Sequence, residues 1–337
     1  MSIVMTGGGT GGHLAIIKAV KEHLRNEELI YVGSTKGQDK QWFEEDNDFK
    51  EKYFFETRGV VNQGTLGKIK SLMMMAKAMF QSIKILRKHK ASVVFSVGGF
   101  SAAPMAFAAK LTGTSLVIHE QNAALGSLNK LLKPYATYFI SSYLTESPIE
   151  AYPIKEVFFD NARVRDKVNT IIFLGGSQGA SAINTLALQM AVGLQDKGIR
   201  ILHQAGINHV DEVTKGYSDL GVKAEVFGFT TKLAAYMNEA DFAIARAGAS
   251  TLWELSATAL PSLYIPYPYA ASDHQYYNAQ FLVKKDLAWL MRENNIEVEK
   301  VFDILNESMG TKSKGLMHIV EKDGSVKIAQ LLKNMMK

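Results

Sequence analysis

The sequence contains one short pattern twice: a strand-like apolar run, a glycine-rich loop and a helix-like run. In the first copy residues 2–5 lead into the loop 7–12, and in the second residues 170–174 lead into the loop 175–179. Glycines let the backbone approach a ligand closely, and the free N–H groups at the start of the following helix favour anionic groups. The repetition therefore predicts two α/β units, each with a loop suited to a phosphate.

Short β-rich runs alternate with longer helix-like segments along the whole chain, which is typical of parallel sheets covered by helices. The predicted strands are residues 2–5, 29–32, 93–97, 115–118, 138–141, 170–174, 200–203, 224–227, 242–245 and 262–265. A chain of 337 residues also exceeds the usual size of one core. The sequence therefore predicts an α/β protein with two Rossmann-like parallel-sheet domains, residues 1–160 and 161–322, and a C-terminal helix, 323–337, that can pack back on the first domain.

The composition favours a protein of the reducing cytosol that binds an anion. The chain has no cysteine, which excludes disulfides and thiolate metal sites. Its first residues lack the basic segment of a signal peptide, and no run reaches the roughly 18 apolar residues of a membrane span. The formal net charge of +5 favours a nucleotide, a phosphate or an anionic membrane surface as partner. We therefore expect a cytoplasmic protein that touches a membrane without crossing it.

The first loop also fits the dinucleotide-binding pattern G-x-G-x-x-G, through Gly7, Gly9 and Gly12. An NAD-type oxidoreductase is therefore an alternative, but it needs an acidic residue at the end of the second strand to hold the ribose. That strand is followed by Gly33 and Ser34 instead. No Walker-type phosphate loop occurs, which disfavours an ATPase.

Polar residues directly follow several predicted strands, where the ligands of open parallel sheets bind. One such cluster consists of His119, Glu120, Gln121 and Asn122. Four polar side chains at the end of an apolar strand would be costly to bury unpaired, so we favour ligand contact over hydrogen bonds to a neighbouring loop.

Similar clusters follow two strands of the second half, at residues 246–251 and 273–275. Glu254 lies four residues after Ser250 on the helix predicted there, and it is either a surface glutamate or an acceptor for ribose hydroxyls. Asp46 and Asp48 form a D-x-D pattern, which can bind a metal ion, but they lie in a charged run that we expect to be a solvated surface.

In their order and spacing, six motifs resemble the MurG family of glycosyltransferases, which belongs to glycosyltransferase family 28. The motifs are Gly8-Gly9-Thr10-Gly11-Gly12-His13, Gly98-Gly99-Phe100-Ser101, His119-Glu120-Gln121-Asn122, Gly175-Gly176-Ser177-Gln178-Gly179-Ala180, Arg246-Ala247-Gly248-Ala249-Ser250-Thr251 and Asp273-His274-Gln275. The resemblance covers nearly the whole chain, and the combination is specific although each motif alone is not. It implies the GT-B fold, in which two Rossmann-like domains face each other across a cleft.

The resemblance implies a hexosyltransferase of peptidoglycan synthesis, with a role in cell-wall biogenesis, cell shape and cell division. The enzyme would transfer GlcNAc with inversion from UDP-GlcNAc to the C4 hydroxyl of MurNAc in undecaprenyl-pyrophosphoryl-MurNAc-pentapeptide (lipid I) to give lipid II. The implied partners are UDP-GlcNAc, this lipid-linked acceptor, an anionic membrane surface and cell-wall synthesis proteins, without nucleic acid. The implied location is peripheral, on the cytoplasmic face of the bacterial plasma membrane. Another GT-B nucleotide-sugar transferase and a non-catalytic nucleotide-sugar-binding protein are the alternatives.

The resemblance also implies the substrate-binding residues. Those that would line the cleft from the first domain are Thr10, Gly11, Gly12 and Asn122. Those of the second domain are Ser177 and Gln178 for the pyrophosphate, Thr230 for the uracil, Ala249, Ser250, Thr251, Leu252, Trp253 and Glu254 for the nucleotide and ribose, and Gln275 for the sugar. Glu254 would accept hydrogen bonds from the ribose hydroxyls. Arg165 is expected on the pyrophosphate side, with Arg163 as the alternative, and Trp253 stands where the family has a small residue.

Inversion by a single displacement requires a base and a means of stabilising the departing UDP. His13 is the preferred base because an unperturbed imidazole titrates at about pH 6.5, although a histidine there could also cap the first helix. Glu120 and His119 are the reserve candidates. The amides and helix dipole of the second loop, together with Arg165, would meet the leaving-group charge, so we expect no metal and no other cofactor.

Residues 66–90 combine an apolar stripe rich in methionine with lysines and arginines. Such an amphipathic helix with basic flanks can lie on an anionic membrane, although one face must also pack on the sheet. We therefore expect this segment to contact the membrane that carries the acceptor.

Overall fold

The computed structural model describes residues 1–57, 65–160, 162–176 and 178–336, with the side chains of residues 65–70 left aside. The chain divides into two compact units. The first comprises Met1–Ile154 and Asp323–Lys337, and the second comprises Lys155–Lys322. Each unit contains a six-stranded sheet in which all pairings are parallel.

The sheet of the first unit has the order β3-β2-β1-β4-β5-β6, with helices on its faces. Its elements are β1 Ser2–Thr6, α1 Gly11–Lys21, β2 Leu29–Ser34, α2 Asp39–Phe43, β3 Glu51–Phe55, α3 Thr65–Lys88, β4 Ala91–Ser96, α4 Ala103–Thr112, β5 Ser115–Glu120, α5 Ser127–Leu132 and β6 Tyr138–Ser141. The central strand β1 is fully buried, as a strand covered on both faces must be. Its carboxyl end leads into the first glycine loop.

The sheet of the second unit repeats this arrangement with the order β12-β11-β10-β7-β8-β9. Its elements are β7 Thr170–Leu174, α6 Ser181–Asp196, β8 Arg200–Gln204, α7 Val210–Asp219, β9 Ala224–Phe227, α8 Leu233–Glu239, β10 Phe242–Ala245, α9 Ala249–Ala257, β11 Ser262–Tyr264, α10 His274–Val283, β12 Trp289–Leu290, α11 Val298–Leu305 and α12 Gly310–Ile319. Strands β7 and β10 are neighbours, so the loops that follow them lie side by side at one edge of the sheet.

The last helix, α13 Gly324–Asn334, belongs to the first unit and packs on α1. His23 Nε2 and Ser325 Oγ lie 3.1 Å apart at this contact. A Cβ at Gly324 would lie 2.5 Å from the carbonyl oxygen of Tyr152, so the helix can begin this close to the chain only with glycine there.

The predicted strands omit β3 and β12, which the structure places at the ends of the two sheets. β3 is only partly buried along most of its length and contains Glu51 and Lys52, and β12 has only two residues. β3 therefore lacks the unbroken apolar run, and β12 the length, by which strands are recognised, whereas β6 and β9 at the other two edges were predicted.

Candidate functional site

The second glycine loop joins β7 to α6 in a conformation that requires its glycines. Gly179 has a φ of +84°, and a Cβ there would lie 2.5 Å from the carbonyl oxygen of Ala205. Gly176 has a φ of +78°, and no atom lies within 4 Å of the position its Cβ would take. The loop therefore lies close to the segment of Ala205 at Gly179 and leaves open space at Gly176. Gln178 is exposed beside it, while Ser177 lies outside the described residues.

Three buried side chains fix the segment against which this loop packs. The side-chain amide of Asn184 donates to the carbonyl oxygen of Ala205 at 3.1 Å, and Asn184 Oδ1 lies 3.0 Å from His203 Nε2. The other ring nitrogen of His203 lies 3.0 Å from the hydroxyl of Tyr217. Burial lowers the pKa of His203 to about 3, so the ring is neutral and can accept one hydrogen bond and donate the other.

Helix α9 separates its buried side chains from those that face outward. Leu252 and Trp253 are buried, and the ring of Trp253 lies 5.8 Å from that of Phe281 on α10. The side chains expected to line a nucleotide site at Leu252 and Trp253 are therefore part of the core between α9 and α10. Ser250, Thr251 and Glu254 are only partly buried, and they remain the side chains of α9 that a ligand can reach.

Glu254 has an unusual electrostatic environment. Desolvation raises the pKa of this carboxyl group from 4.5 to about 8, and the nearby charge of Lys155 opposes the shift only weakly. The side chain is therefore predominantly protonated at neutral pH in the free protein. A carboxyl pKa raised this strongly is typical of a functional site.

Four of the expected residues follow different strands of the second sheet. Gln178 follows β7, Thr230 follows β9, Ser250 follows β10 and Gln275 follows β11. The Thr230 hydroxyl accepts a hydrogen bond from the backbone of Lys232 at 3.0 Å. Gln275 accepts one from the backbone of Tyr267 at 3.0 Å. Because all these strands are parallel, the residues lie along one edge of the sheet.

The structure puts Arg165 at the opposite edge of this sheet. Its side chain is almost fully buried, and its guanidinium donates to backbone carbonyls at the ends of α8 and α9. The accepting carbonyls are those of Arg163, Met237, Asn238, Ala240 and Thr258. Burial lowers the pKa of Arg165 to about 9, which still leaves it protonated at neutral pH. Arg165 therefore stabilises two helix ends and does not contact a pyrophosphate held by the second glycine loop.

The alternative, Arg163, lies at the same edge as Arg165. It pairs with the carboxylate of Asp241 at 2.7 Å and donates to the carbonyl oxygen of Asn238 at 3.1 Å. The arginine that lies beside the expected nucleotide residues is Arg246, which directly follows β10. Its guanidinium pairs with Glu293 at 2.6 Å and donates to the carbonyl oxygens of Ile265 and Pro266.

The first glycine loop differs from the second because a carboxylate of the protein already occupies it. Asp39 is fully buried, and its Oδ2 accepts a hydrogen bond from the backbone N–H of Gly9 at 2.6 Å. Its Oδ1 accepts one from the backbone N–H of Ser34 at 2.9 Å. A phosphate at this loop would meet this carboxylate, so the geometry argues against the dinucleotide-binding alternative.

His13 lies at the start of α1, between two polar side chains. Its Nδ1 is 2.9 Å from the hydroxyl of Thr10, and its Nε2 is 3.0 Å from the side-chain nitrogen of Gln121. Thr10 is exposed, and Gly11, Gly12 and His13 are partly buried. The ring is thus oriented through both nitrogens, at the end of β1 where a ligand can approach.

The two reserve bases are buried in structural roles. One Glu120 oxygen accepts from the backbone N–H of Asn122 at 3.0 Å, and the other accepts from the backbone of Gly126 and the side chain of Asn129, both at 2.9 Å. His119 is fully buried, and burial lowers its pKa to about 3. Glu120 therefore holds the loop that contains Asn122, and His119 is an uncharged core residue, so neither is exposed as a base.

Asp46 and Asp48 bind a buried lysine instead of a metal. The ammonium group of Lys21 lies 2.7 Å from Asp46 and 2.6 Å from Asp48. Across the described parts of the chain, no three histidine or acidic side chains converge so that they could hold a metal ion.

Two family models match the chain and together cover most of its length. The glycosyltransferase family 28 N-terminal domain matches residues 3–140, and the glycosyltransferase family 28 C-terminal domain matches residues 170–332. The chain belongs to glycosyltransferase family 28. The family expected from the sequence motifs is therefore confirmed, and with it the expectation of a glycosyltransferase.

Relatives of this family 28 chain are similar over nearly their whole length. A protein of Sulfurovum sp. (strain NBC37-1) is 73% identical over 334 residues, which are 99% of each chain. A protein of Sulfurimonas denitrificans is 50% identical, covering 97% of each chain. Both relatives are named UDP-N-acetylglucosamine--N-acetylmuramyl-(pentapeptide) pyrophosphoryl-undecaprenol N-acetylglucosamine transferase.

Solved structures resemble the fold of this family 28 enzyme. The crystal structure of Acinetobacter baumannii MurG has a TM-score of 0.81 at 24% identity, with 99% of each chain covered. A co-structure of S. aureus MnaA with UDP has a TM-score of 0.64 at 13% identity, covering 100% of this chain and 97% of the other. These likenesses concern the fold alone, and they confirm the GT-B class with its two Rossmann-like domains.

Two polar residues of this family 28 enzyme have no role in the sequence-based prediction. Asp39 lies in a polar stretch after β2, where nothing nearby along the chain indicates that it returns to the first loop. Arg246 begins one of the six motifs, but the resemblance assigns it no role. Its position directly after a buried strand is the feature from which a role at the site could have been predicted.

Proposed function

We propose that this glycosyltransferase transfers GlcNAc from UDP-GlcNAc to the C4 hydroxyl of MurNAc in undecaprenyl-pyrophosphoryl-MurNAc-pentapeptide, with inversion, to give the lipid II of peptidoglycan synthesis. The observation that carries the proposal is the 73% identity, over 99% of both chains, with a relative named for transfer of N-acetylglucosamine to this acceptor. The polar residues that follow the strands at the carboxyl edge of each sheet also support the proposal.

The donor binds to the second unit in this proposal. The amides of the loop 175–179 and the dipole of α6 meet the pyrophosphate, with Gln178 beside them. Thr230 contacts the uracil and Gln275 the sugar. On α9, the backbone at Ala249 together with Ser250, Thr251 and Glu254 binds the nucleotide and its ribose. Ser177 remains part of the proposal as a pyrophosphate contact, although it lies outside the described residues.

The acceptor binds to the first unit, where His13 takes the proton of the attacking hydroxyl. Thr10 and Gln121 contact the two nitrogens of its ring at 2.9 and 3.0 Å, so the attacking hydroxyl replaces one of these contacts when it binds a ring nitrogen. Thr10, Gly11, Gly12 and Asn122 border this position. As the C–O bond to UDP breaks, the charge on the leaving pyrophosphate is stabilised by the loop amides and the α6 dipole, without Arg165. We propose that no metal takes part.

Replacing Glu254 with glutamine tests its contact with the ribose. Below pH 8 the free carboxyl group is mostly protonated, whereas two ribose hydroxyls are best bound by the ionised form. Binding of UDP should therefore release a proton at pH 7, and the affinity should rise with pH until about 8. Glu254→Gln should lack the part of both effects that comes from this carboxyl group, and it should bind UDP roughly tenfold more weakly at pH 9.

Isothermal titration at pH 7, in two buffers of different ionisation enthalpy, counts the protons released. Because UDP also titrates, the relevant quantity is the difference between the wild type and Glu254→Gln. Glu299→Gln, an exposed position on α11, is the matched control and should behave as the wild type. Equal proton release by all three proteins would remove Glu254 from the ribose site.

Helix α3 supplies the membrane contact in this proposal. Met73, Lys77, Phe80, Lys84 and Arg87 are spaced so that they share one face, and all five are exposed. The opposite face contributes to the core of the first unit. An apolar stretch that continues into basic residues suits an anionic lipid surface. In the described residues, no helix has both the length and the apolar character to cross a membrane.

Sedimentation with lipid vesicles measures this contact. The wild type should bind vesicles with anionic lipid more than neutral ones, and a triple variant with Leu72→Ser, Met73→Ser and Phe80→Ser should lose most of this binding. The matched control carries Val192→Ser and Leu220→Ser, which are exposed apolar residues of the second unit, and should bind normally. Negligible binding of the wild type to both vesicle types would contradict the proposal.

The proposal as a whole is tested by transfer of radiolabelled GlcNAc from UDP-GlcNAc to a short-chain lipid I analogue. Label should appear in the lipid product, and adding EDTA should leave the rate unchanged. Loss of activity in EDTA that magnesium restores would contradict metal-independent departure of UDP. We also propose that the enzyme acts at the cytoplasmic face of the plasma membrane together with cell-wall synthesis proteins, because a lipid-linked acceptor of this kind is used there.

A further inference from the structure

Asp39 gives the first glycine loop an anion from within the protein. Its side chain is fully buried, and its two oxygens accept from the backbone N–H groups of Gly9 at 2.6 Å and Ser34 at 2.9 Å. The Tyr31 hydroxyl lies 3.2 Å from Oδ1 and 2.9 Å from the carbonyl oxygen of Gly7, so its single proton serves one or the other. The negative charge of Asp39 also raises the pKa of Tyr31, after burial as the larger cause.

The backbone around this carboxylate has no room for side chains. A Cβ at Gly8 would lie 2.5 Å from Asp39 Oδ1, and a Cβ at Gly33 would lie 2.7 Å from the same oxygen. Two glycines in separate segments are thus shaped around one carboxylate. A glycine loop before a helix ordinarily offers its N–H groups to a ligand anion. Here a protein carboxylate takes one of them.

We propose that Asp39 is a positioning residue of the transfer reaction, which replaces a ligand anion in the first glycine loop and thereby fixes the segment that carries Thr10 and His13. The residue bound to the carboxylate, Gly9, directly precedes Thr10. The Thr10 hydroxyl lies 2.9 Å from His13 Nδ1. Asp39 thus acts on the imidazole through Gly9 and Thr10, without touching substrate. This inference rests on the proposed role of His13.

The arrangement also explains why two loops of similar sequence serve different ligands. The second loop leaves open space at Gly176, whereas in the first loop the Asp39 carboxylate fills the space beside Gly8. The first loop is therefore a rigid support for the base and not a second phosphate site.

Chemical rescue tests the inference. Asp39→Ala removes the carboxylate and leaves a small cavity, and the displaced base should lower kcat by roughly a hundredfold. Affinity for UDP, which binds the other unit in our proposal, should stay within about twofold. Formate, a small carboxylate that can enter the cavity, should restore at least about a tenth of the lost kcat. Formate should not stimulate the wild type.

Two further variants separate positioning from general loss of structure. Asp39→Asn fills the same volume but offers only one oxygen, so one backbone N–H loses its acceptor; its kcat should fall and formate should not restore it. Asp48→Ala removes an exposed carboxylate that pairs with Lys21, and it should keep normal kcat without a formate response. The NMR signals of His13 should shift in Asp39→Ala, while those of His318 should not.

The outcomes are distinct. Rescue of the alanine variant alone, with a shifted His13 signal, supports the inference. Normal kcat in both Asp39 variants would overturn it, as would a loss that formate leaves unchanged and that parallels a lower melting temperature. If the wild type itself transfers no GlcNAc, the proposed function fails instead, and the NMR comparison still reports whether Asp39 positions His13.

Discussion

Replacing His13 with alanine is expected to lower turnover by roughly a hundredfold or more, while the affinity for UDP stays unchanged. The acceptor hydroxyl needs a group that takes its proton, and the two nearby reserve candidates cannot substitute. Glu120 is engaged by three donors, two on the following loop and one on α5, and His119 is fully buried with its pKa lowered to about 3. Steady-state kinetics with a lipid I analogue and titration with UDP measure the two quantities.

A histidine of no proposed function provides the control for this substitution. His318 is exposed on α12, and His318→Ala should leave both turnover and UDP affinity at wild-type values. Near-normal turnover of His13→Ala would assign the base to another residue.

Replacing Arg165 with alanine is expected to destabilise the protein strongly without weakening UDP binding. The substitution removes the side-chain donor of the buried carbonyl oxygens of Met237 and Thr258, and each such unpaired group costs about 1–3 kcal/mol. The carbonyl oxygens of Asn238 and Ala240 keep a donor in Arg163. Since two carbonyls lose this donor and a buried side chain is removed, we expect a total loss of roughly 3 kcal/mol or more. Urea denaturation followed by tryptophan fluorescence measures the loss. Titration of the folded variant with UDP at low temperature measures the affinity.

Arg200→Ala is the matched control for Arg165→Ala. Arg200 also bonds residues of the second unit, Glu225 and Glu239, but its side chain is half exposed. Exposed pairs contribute little, so this variant should lose less than about 1 kcal/mol. If Arg165→Ala were as stable as the wild type and bound UDP much more weakly, Arg165 would be a pyrophosphate ligand as the sequence resemblance implies.

The architecture could be predicted from the sequence because buried parallel strands are recognisable without their partners. All ten predicted strands occur, and the two that were missed, β3 and β12, lie at the sheet edges. β3 begins with two charged residues and β12 has only two residues, so neither shows the local apolar run by which the other strands, including the edge strands β6 and β9, were recognised. The glycine loops were recognisable for the same reason as the strands, because each is a contiguous signal.

The side chains of the candidate site were less predictable because their roles depend on distant partners. Four of the five carbonyl acceptors of Arg165 lie more than seventy residues further along the chain, at the ends of two different helices. The carboxylate of Asp39 accepts a hydrogen bond from Gly9, thirty residues away, and the sequence around neither residue indicates this contact. On α9, the buried side chains of Leu252 and Trp253 could be separated from Glu254 only when the packing against α10 was known.

Transfer of radiolabelled GlcNAc from UDP-GlcNAc to a short-chain lipid I analogue is the decisive measurement for the proposed function, because it examines donor, acceptor and reaction together. We expect one labelled disaccharide-lipid product with a β(1→4) bond, formed with release of UDP and reduced to background when the acceptor is omitted. Tight UDP binding without any labelled lipid product, under conditions in which a bacterial extract forms lipid II, would contradict it.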